Sequence, residues 1–329
     1  STPIKSSAAS DVYKRQPLVY EYNPSSNDAS YPDRSSLAET FEQIEDDLVK
    51  AEELVTTAGV PNSAYITKDV VRALRARVAL EKEDYQGAIS AATSLIGSGT
   101  YPLMTDAAAY ADMWLHDNGT EAIWQFAMIK GQETGPNTLG SAFSGIIDVL
   151  PRPSYIPTTT VLNLYDQEND IRYAAYFTYD SIDAQSVSDF MLTYCKKWPG
   201  NPELYDGKSN NVNKTKAFRI SEMYLIAAEA YAMSGDETNA SKILNELKAA
   251  RIKGWSEKTY SGNALMKEIQ NEYVRELFAE DPHIFNMKRW KVGLNRSTSE
   301  AQVVSYLPAL GTDMVKPADN HMWVWPIPK

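Results

Sequence analysis

The chain has 329 residues, of which 43% are hydrophobic and 23% charged, a composition typical of a folded protein with one or two domains. Lys and Arg total 32 against 43 Asp and Glu, so the formal net charge is -11 and we expect no basic face for nucleic acid. No run of about 18 apolar residues occurs in this sequence, so no membrane-spanning helix is predicted. The single cysteine, Cys195, cannot form an internal disulfide, and no spacing of cysteines and histidines indicates a zinc site.

The first residues resemble sequence of foreign origin. Residues 6–16 are similar to the in-frame translation of a sequencing adapter. We therefore expect residues 1–16 to be an artefact, residues 17–329 to be part of the natural protein, and the natural gene to continue upstream with a different sequence.

An amphipathic helix is predicted at the start of the natural sequence. Apolar residues from Leu37 to Val55 recur every three or four positions, with Glu and Asp between them. Ser35 or Ser36 can cap the first turn, because a hydroxyl accepts a hydrogen bond from a free N–H there. Residues 59–61, Gly-Val-Pro, are expected to end the helix.

Two later segments share one register and predict paired helices. The first pair covers about residues 68–97 and the second about residues 221–248. When the turns between the helices are superimposed, Asp84 falls on Asp236, and alanines coincide on both sides of the turn. Small residues at such positions let paired helices approach closely, as in tetratricopeptide-like stacking.

The stretch from 131 to 215 has no helical periodicity and is rich in Pro, Asn, Asp, Ser and Thr, so long ordered loops with a few short strands are predicted there. A further helical segment runs from Leu265 to Glu280. These patterns predict an all-α fold in which helices within residues 36–97 and 216–290 form a scaffold. The loops of residues 131–215 would form the binding surface on it.

The loop-rich stretch also holds the candidate ligand contacts. Ten aromatic side chains lie between residues 151 and 205, more than the chain-wide share of 11% predicts. The apolar face of a pyranose ring stacks on Tyr or Trp, and its hydroxyls form hydrogen bonds with amide and guanidinium groups. We therefore predict a ligand site formed by Tyr155, Trp198, Tyr205, Arg152, Asn201 and Asn210.

Sequence motifs for catalysis are missing. The three histidines lie far apart, and neither HExxH, GxSxG nor a phosphate-binding GxxxxGK[ST] occurs. Cys195 precedes Lys196 and Lys197, which would lower the pKa of an exposed thiol, but a buried, inert cysteine is the expectation. A glycosidase needs only two carboxylates, so the acidic residues leave that mechanism open.

Four sequence elements resemble the SusD/RagB family. Residues 272–290, EYVRELFAEDPHIFNMKRW, are similar without a gap to the family pattern of approximately ERRRELAFEGHRWFDLRRW. Residues 219–230, RISEMYLIAAEA, resemble its R-x-A-E-x-x-L-x-x-A-E-A helix. Residues 118–124, NGTEAIW, resemble its N-x-x-E-x-I-W element, and residues 325–328, WPIP, resemble its close.

This chain departs from the family pattern in the turn after the 272–280 segment. Asp281, His283 and Asn286 stand where the family has Gly, Arg and Asp, so we expect the local ion pairing of this turn to differ.

The resemblance implies a surface protein of Bacteroidetes-like bacteria that binds an oligosaccharide, or in some relatives a peptide, and passes it to a SusC-like TonB-dependent outer-membrane transporter. It implies binding without bond cleavage and attachment to the outer membrane by a lipid on a segment upstream of residue 17. We expect no cofactor and assign no metal-binding residues. A helical polysaccharide-degrading enzyme and a protein-binding repeat scaffold are the alternatives. Aromatic-rich loops favour glycan binding over a scaffold, which needs only a groove between helices.

Overall fold

The computed structural model describes residues 35–131, 138–143, 146–147, 150–151, 153–182, 190–205, 207, 211–280, 283–302, 315–320 and 323. Five expectations from the sequence lie outside these residues: the artefact at residues 1–16, the WPIP element, Arg152, Asn210 and the departure at Asp281.

Helices supply most of the regular structure. In chain order they are α1 (Leu37–Leu54), α2 (Lys68–Glu81), α3 (Tyr85–Gly97), α4 (Ala107–Leu115), α5 (Leu139–Phe143), α6 (Thr159–Leu162), α7 (Ile171–Tyr176), α8 (Ile220–Met233), α9 (Glu237–Arg251), α10 (Gly262–Glu276) and α11 (His283–Arg289). Among the described residues, none of these helices combines the length and the apolar character needed to cross a bilayer.

The strands are short and form antiparallel pairs. They are β1 (Ala122–Gln125), β2 (Ile146–Ile147), β3 (Leu150–Pro151), β4 (Phe177–Ile182), β5 (Phe190–Cys195), β6 (Lys216–Arg219), β7 (Leu294–Asn295) and β8 (Val315–Lys316). The pairs are β1 with β6, β2 with β3, β4 with β5, and β7 with β8. In the longest pair Phe177 lies opposite Cys195 and Ile182 opposite Phe190.

The chain divides into two units. The smaller comprises residues 1–54, 283–296 and 309–329, and the larger comprises residues 55–282 and 297–308. In the smaller unit, α1 begins with a reciprocal cap: the Ser36 hydroxyl accepts a hydrogen bond from the Glu39 N–H, and the Glu39 carboxylate accepts one from the Ser36 N–H. The helix ends at Leu54, earlier than predicted, because the β-branched residues 55–57 are poor helix formers.

Two of the three residues that depart from the family pattern, His283 and Asn286, lie in the smaller unit and are described by the structure. Arg289 donates a hydrogen bond to the Asn286 side chain over 3.1 Å. The His283 ring lies 5.6 Å from that of Trp290, and burial together with the charge of Arg289 lowers the pKa of His283. Asp281 lies outside the described residues.

The predicted helix pairs and their shared register are present in the larger unit. Asp84 caps α3 by accepting a hydrogen bond from the Gly87 N–H, and Asp236 caps α9 by accepting one from the Asn239 N–H. Fully buried alanines fill the space between α2, α3 and α8, where a larger side chain would hold the helices apart. They are Ala73, Ala76, Ala88, Ala92, Ala227 and Ala230.

The loop-rich middle of the chain contains short helices as well as the expected strands. Thr158 and Asp170 cap α6 and α7 through their side chains, so each helix starts at a defined residue. Helices of four and six residues are too short to show a helical period, which is why the sequence pattern does not predict them. The rings of α4, α7 and β4 form a second core with Trp198.

A network of buried ion pairs joins distant parts of the larger unit. Glu276 is at its centre and accepts hydrogen bonds from Arg172, Arg219 and Arg251, each at 2.9 Å. The remaining charged members within the described residues are Lys197, Lys248, Arg275, Glu121, Asp170, Glu268, Glu272 and Glu280. Cations and carboxylates are therefore equal in number, as burial of charge requires.

The network explains why three separated sequence elements match a family pattern. Glu121 comes from the NGTEAIW element, Arg219 from the RISEMYL element and Glu276 from the EYVRELF element. Arg219 bonds to both carboxylates, over 2.9 Å in each case. These motif charges are consequently structural, and the ligand site must be sought elsewhere.

The network makes the free energy of unfolding depend on pH in the acidic range. Burial alone would raise the pKa of Glu272, but the charges of Arg172 and Arg275 outweigh it and lower this pKa from 4.5 to about 2. The charges of Arg251 and Arg219 likewise hold the pKa of Glu276 well below its ordinary value. Because both folded-state pKa values lie below the unfolded ones, the stabilisation is complete above pH 4.5 and is lost as pH falls towards 2.

We therefore expect the free energy of unfolding to fall steadily between about pH 5 and pH 2.5. Urea unfolding followed by circular dichroism at fixed ionic strength measures it. A free energy of unfolding that stays constant down to pH 3 would contradict the role given to these carboxylates.

Candidate functional site

A cavity of about 540 Å³ opens in the larger unit beside α5. Its volume falls within the range of about 300–1,000 Å³ that is usual for small-molecule sites. Polar side chains alternate with apolar ones in its wall. The lining residues are Met128, Thr138, Leu139, Gly140, Ser141, Ala142, Ser154, Tyr155, Trp198, Val212, Asn213 and Thr215.

Helix α5 is held against the opposite wall by close backbone contact at Gly140. A β-carbon added there would lie 2.6 Å from the carbonyl oxygen of Asn211 and 2.7 Å from that of Trp198. Both distances are too short for real atoms, so glycine is required for this approach. The hydroxyl of Thr138 accepts a hydrogen bond from the Ser141 N–H over 3.1 Å and fixes the start of the helix.

Tyr155 stands at this cavity with its ring largely exposed. The Ser154 N–H donates to the carbonyl of Ala142 over 2.9 Å, which ties this segment to α5. The Tyr155 ring lies 5.6 Å from that of Phe143, inclined by 44°, and 63% of the residue is exposed. An aromatic ring that is supported by a neighbour yet open to solvent can accept the apolar face of a sugar.

Trp198 is part of the core as well as of the cavity wall. Only 1% of it is exposed, its indole N–H donates to the Ala279 carbonyl over 2.9 Å, and its ring meets that of Trp114 at 5.2 Å. The expectation that Trp198 presents an exposed stacking face is not met, because its ring packs in the core. We infer instead that Trp198 packs behind the cavity wall and stabilises it.

Asn201 is also built into the protein. It is 3% exposed, its amide donates to the Asp117 carboxylate over 3.0 Å, and its carbonyl oxygen accepts from the Glu203 N–H over 2.9 Å. Lys216 bonds to the same carboxylate at 3.1 Å, and burial lowers the pKa of its ammonium group. Asn201 therefore caps a 3-10 turn within a buried polar cluster.

Tyr205 follows that turn and is 48% exposed, but it does not line the cavity. The structure thus brings Tyr155 and Trp198 together and leaves Tyr205 and Asn201 apart from them. Arg152 and Asn210 lie outside the described residues.

Sequence reasoning missed the polar wall of the cavity. Thr138, Ser141 and Ser154 line the cavity and carry hydroxyl groups. The sequence signal was the run Thr138-Leu139-Gly140-Ser141, in which a capping residue precedes a glycine.

Residues suited to other chemistry are buried or dispersed. Cys195 is fully buried, as expected, and burial raises the pKa of its thiol to about 11, which disfavours the reactive thiolate. Within the described ranges, no group of three or more His, Cys, Asp or Glu side chains is arranged to hold a metal ion.

Comparison with known proteins gives one consistent result. A model of the SusD family matches residues 165–329, half of the chain. A curated relative, SusD-like protein P38 from Formosa agariphila, is 25% identical over 260 residues, which are 69% of this chain and 50% of the relative. The chain thus spans half the length of that relative.

Solved structures show the same fold. A SusD superfamily protein from Bacteroides thetaiotaomicron has a TM-score of 0.72 with 21% identity, over 93% of this chain and 67% of that protein. A SusD-like carbohydrate binding protein from Bacteroides vulgatus has a TM-score of 0.66 with 21% identity, over 85% of this chain and 57% of that protein. The mostly helical fold expected from the sequence is confirmed by these likenesses.

Proposed function

We propose that this chain, which belongs to the SusD family, binds an oligosaccharide in the cavity beside α5 and does not cleave it. The observation that carries the proposal is Tyr155, a supported and exposed ring at a cavity with several hydroxyl groups. The Bacteroides vulgatus protein of the same fold is described as carbohydrate binding, which supports the ligand class.

In this proposal a pyranose ring stacks on Tyr155. Its hydroxyls exchange hydrogen bonds with the hydroxyl groups of Thr138, Ser141 and Ser154. The close backbone approach of Gly140 to Trp198 fixes the position of α5 in the cavity wall. Arg152, Asn210 and Tyr205 remain proposed ligand contacts.

We further propose that the bound sugar passes to a SusC-like TonB-dependent transporter in the outer membrane. The protein would stand on the outer face of that membrane, attached by a lipid. The family resemblance supports this assignment. It is also compatible with a peptide as the ligand in place of an oligosaccharide.

Tyr155→Ala is expected to weaken binding of the preferred glycan roughly 5- to 30-fold, since one stacked ring contributes about 1–2 kcal/mol. The preferred glycan is first found by retention of the purified chain on a panel of plant, mucin and microbial polysaccharides. Calorimetry then gives the dissociation constants of the variant and the parent.

Tyr179→Ala is the matched control, because Tyr179 is equally exposed, at 65%, yet lies on β4 and does not line the cavity. Equal affinity of Tyr155→Ala and the parent chain would rule out stacking at Tyr155. Appearance of reducing ends during incubation would favour the polysaccharide-degrading enzyme instead.

A further inference from the structure

A second cavity, of about 460 Å³, lies elsewhere in the larger unit and differs from the first in its charge. It is formed where the segment after α9 meets the turn before α7. Four of its lining residues are cationic and one is a carboxylate. The lining residues are Leu164, Asp166, Asn169, Lys248, Ile252, Lys253, Gly254, Trp255, Ser256, Lys258 and Arg275.

The side chain of Asn245, on α9, holds the loop that forms one side of this cavity. The side-chain oxygen of Asn245 accepts hydrogen bonds from the Trp255 indole N–H and from the Lys258 N–H, both at 3.0 Å. The Asn245 amide donates to the Lys258 carbonyl over 2.8 Å. The loop is therefore shaped before any ligand arrives, which reduces the entropy lost on binding.

Trp255 holds two ammonium groups close together. The Nζ atom of Lys248 lies 4.2 Å from the centre of the indole ring, and that of Lys258 lies 4.8 Å from it. Cation–π attraction offsets part of their mutual repulsion. Because cations occupy this ring, Trp255 positions charge here and is not a platform for a sugar face.

The cations differ in how far they are neutralised. Lys248 and Arg275 both bond to Glu268 behind the cavity wall. No carboxylate among the described residues lies within ion-pair distance of Lys253 or Lys258, both of which are exposed. Two uncompensated positive charges thus face one concavity of a chain whose net charge is -11.

The carboxylate in the lining is already engaged. Asp166 accepts hydrogen bonds from the backbone N–H of Asn169 over 3.1 Å and from its side-chain amide over 3.0 Å. The Lys253 N–H in turn donates to the Asn169 carbonyl over 3.0 Å, which places Lys253 beside this turn. The cavity thus holds Lys253 and Lys258, neither of which forms an ion pair among the described residues, together with hydrogen-bonding groups of Asn169 and Ser256.

We propose that this second cavity binds the anionic group of an acidic saccharide, a carboxylate or a sulfate ester, between Lys253 and Lys258. The saccharide part of this assignment rests on the proposed function; the anion site itself does not. Charge-assisted hydrogen bonds to two ammonium groups give the affinity, and the Lys248 ammonium group, 4.2 Å from the centre of the Trp255 ring, helps to position that ring.

The test compares glucuronate, glucose 6-sulfate, inorganic sulfate and glucose by calorimetry at constant ionic strength. The parent chain is expected to bind the three anions in preference to glucose, and the double variant Lys253→Ala/Lys258→Ala to bind them about 10-fold or more weakly. Binding of glucuronate but not glucose 6-sulfate, or the reverse, identifies the source of the anion. Lys258→Arg, combined with native Lys253, should retain binding because it keeps the charge.

The matched control is Lys242→Ala/Lys267→Ala, which removes two exposed lysines from α9 and α10 outside the cavity. An equal loss in this control, or full binding by the Lys253→Ala/Lys258→Ala variant, would overturn the proposal. So would a parent chain that binds none of the anions better than glucose. Failure of the proposed function is read separately, from Tyr155-dependent retention of neutral glycans.

Discussion

Glu276→Gln is expected to lower the free energy of unfolding by about 3–5 kcal/mol, the usual effect of removing one partner from a buried ion pair. Glutamine has nearly the same shape, so packing is kept while the charge is lost. Arg172, Arg219 and Arg251 would then share a buried site without the carboxylate that all three contact. Urea unfolding at pH 7 measures the change.

Glu246→Gln serves as the control, since Glu246 is an exposed carboxylate on α9 and lies outside the network. We expect its free energy of unfolding to stay within about 0.5 kcal/mol of that of the parent. Equal stabilities of Glu276→Gln and the parent would mean that the network is held by hydrogen bonds rather than by charge.

Trp198→Ala is expected to destabilise the protein by about 3–5 kcal/mol, the usual effect of removing a large aromatic side chain from a core. The variant removes the edge contact with Trp114 and leaves the Ala279 carbonyl without its indole donor. Calorimetric or urea unfolding measures the loss. A residue that acted only by stacking on ligand would change stability far less.

Trp198→Phe distinguishes a role in packing from a role in direct ligand contact. Phenylalanine refills most of the volume of the indole ring but cannot donate a hydrogen bond to the Ala279 carbonyl. We expect it to recover part of the stability and to bind glycan nearly as well as the parent. Loss of glycan affinity with unchanged stability would restore Trp198 to the role of a direct ligand contact.

The scaffold could be predicted because its signals are local and periodic. Leu37 to Leu54 show helical spacing, and Asp84 and Asp236 mark equivalent turns by the same capping geometry. Capping and spacing depend on residues a few positions apart, so one sequence is enough to recognise them.

The candidate site could be predicted only in part, because burial depends on contacts across the whole fold. Tyr155 and Trp198 both lie in an aromatic-rich, proline-rich stretch, yet one is exposed and the other is 1% exposed. Nothing near Asn201 shows that Asp117, distant in the chain, would take its amide. The first cavity likewise depends on the approach of Gly140 to Asn211 and Trp198, which no local pattern encodes.

The second cavity was not predicted for a related reason. In the sequence, Lys253 and Lys258 look like ordinary surface lysines. They lie at one cavity because the hydrogen bonds between Asn245, Trp255 and Lys258 fix the loop that carries them. A structure reveals such a site because it shows which cations lack a neighbouring carboxylate. The overall composition, with its net charge of -11, gives no sign of a local positive site.

The ion-pair network also has a consequence for the order in which the protein forms during synthesis. Arg172, Arg219 and Arg251 leave the ribosome before Glu276, the partner that all three require. Until then, closing the core would trap guanidinium groups without full compensation, so the growing chain gains little from early compaction. A chain that ends before residue 276 is therefore expected to leave this part of the core open.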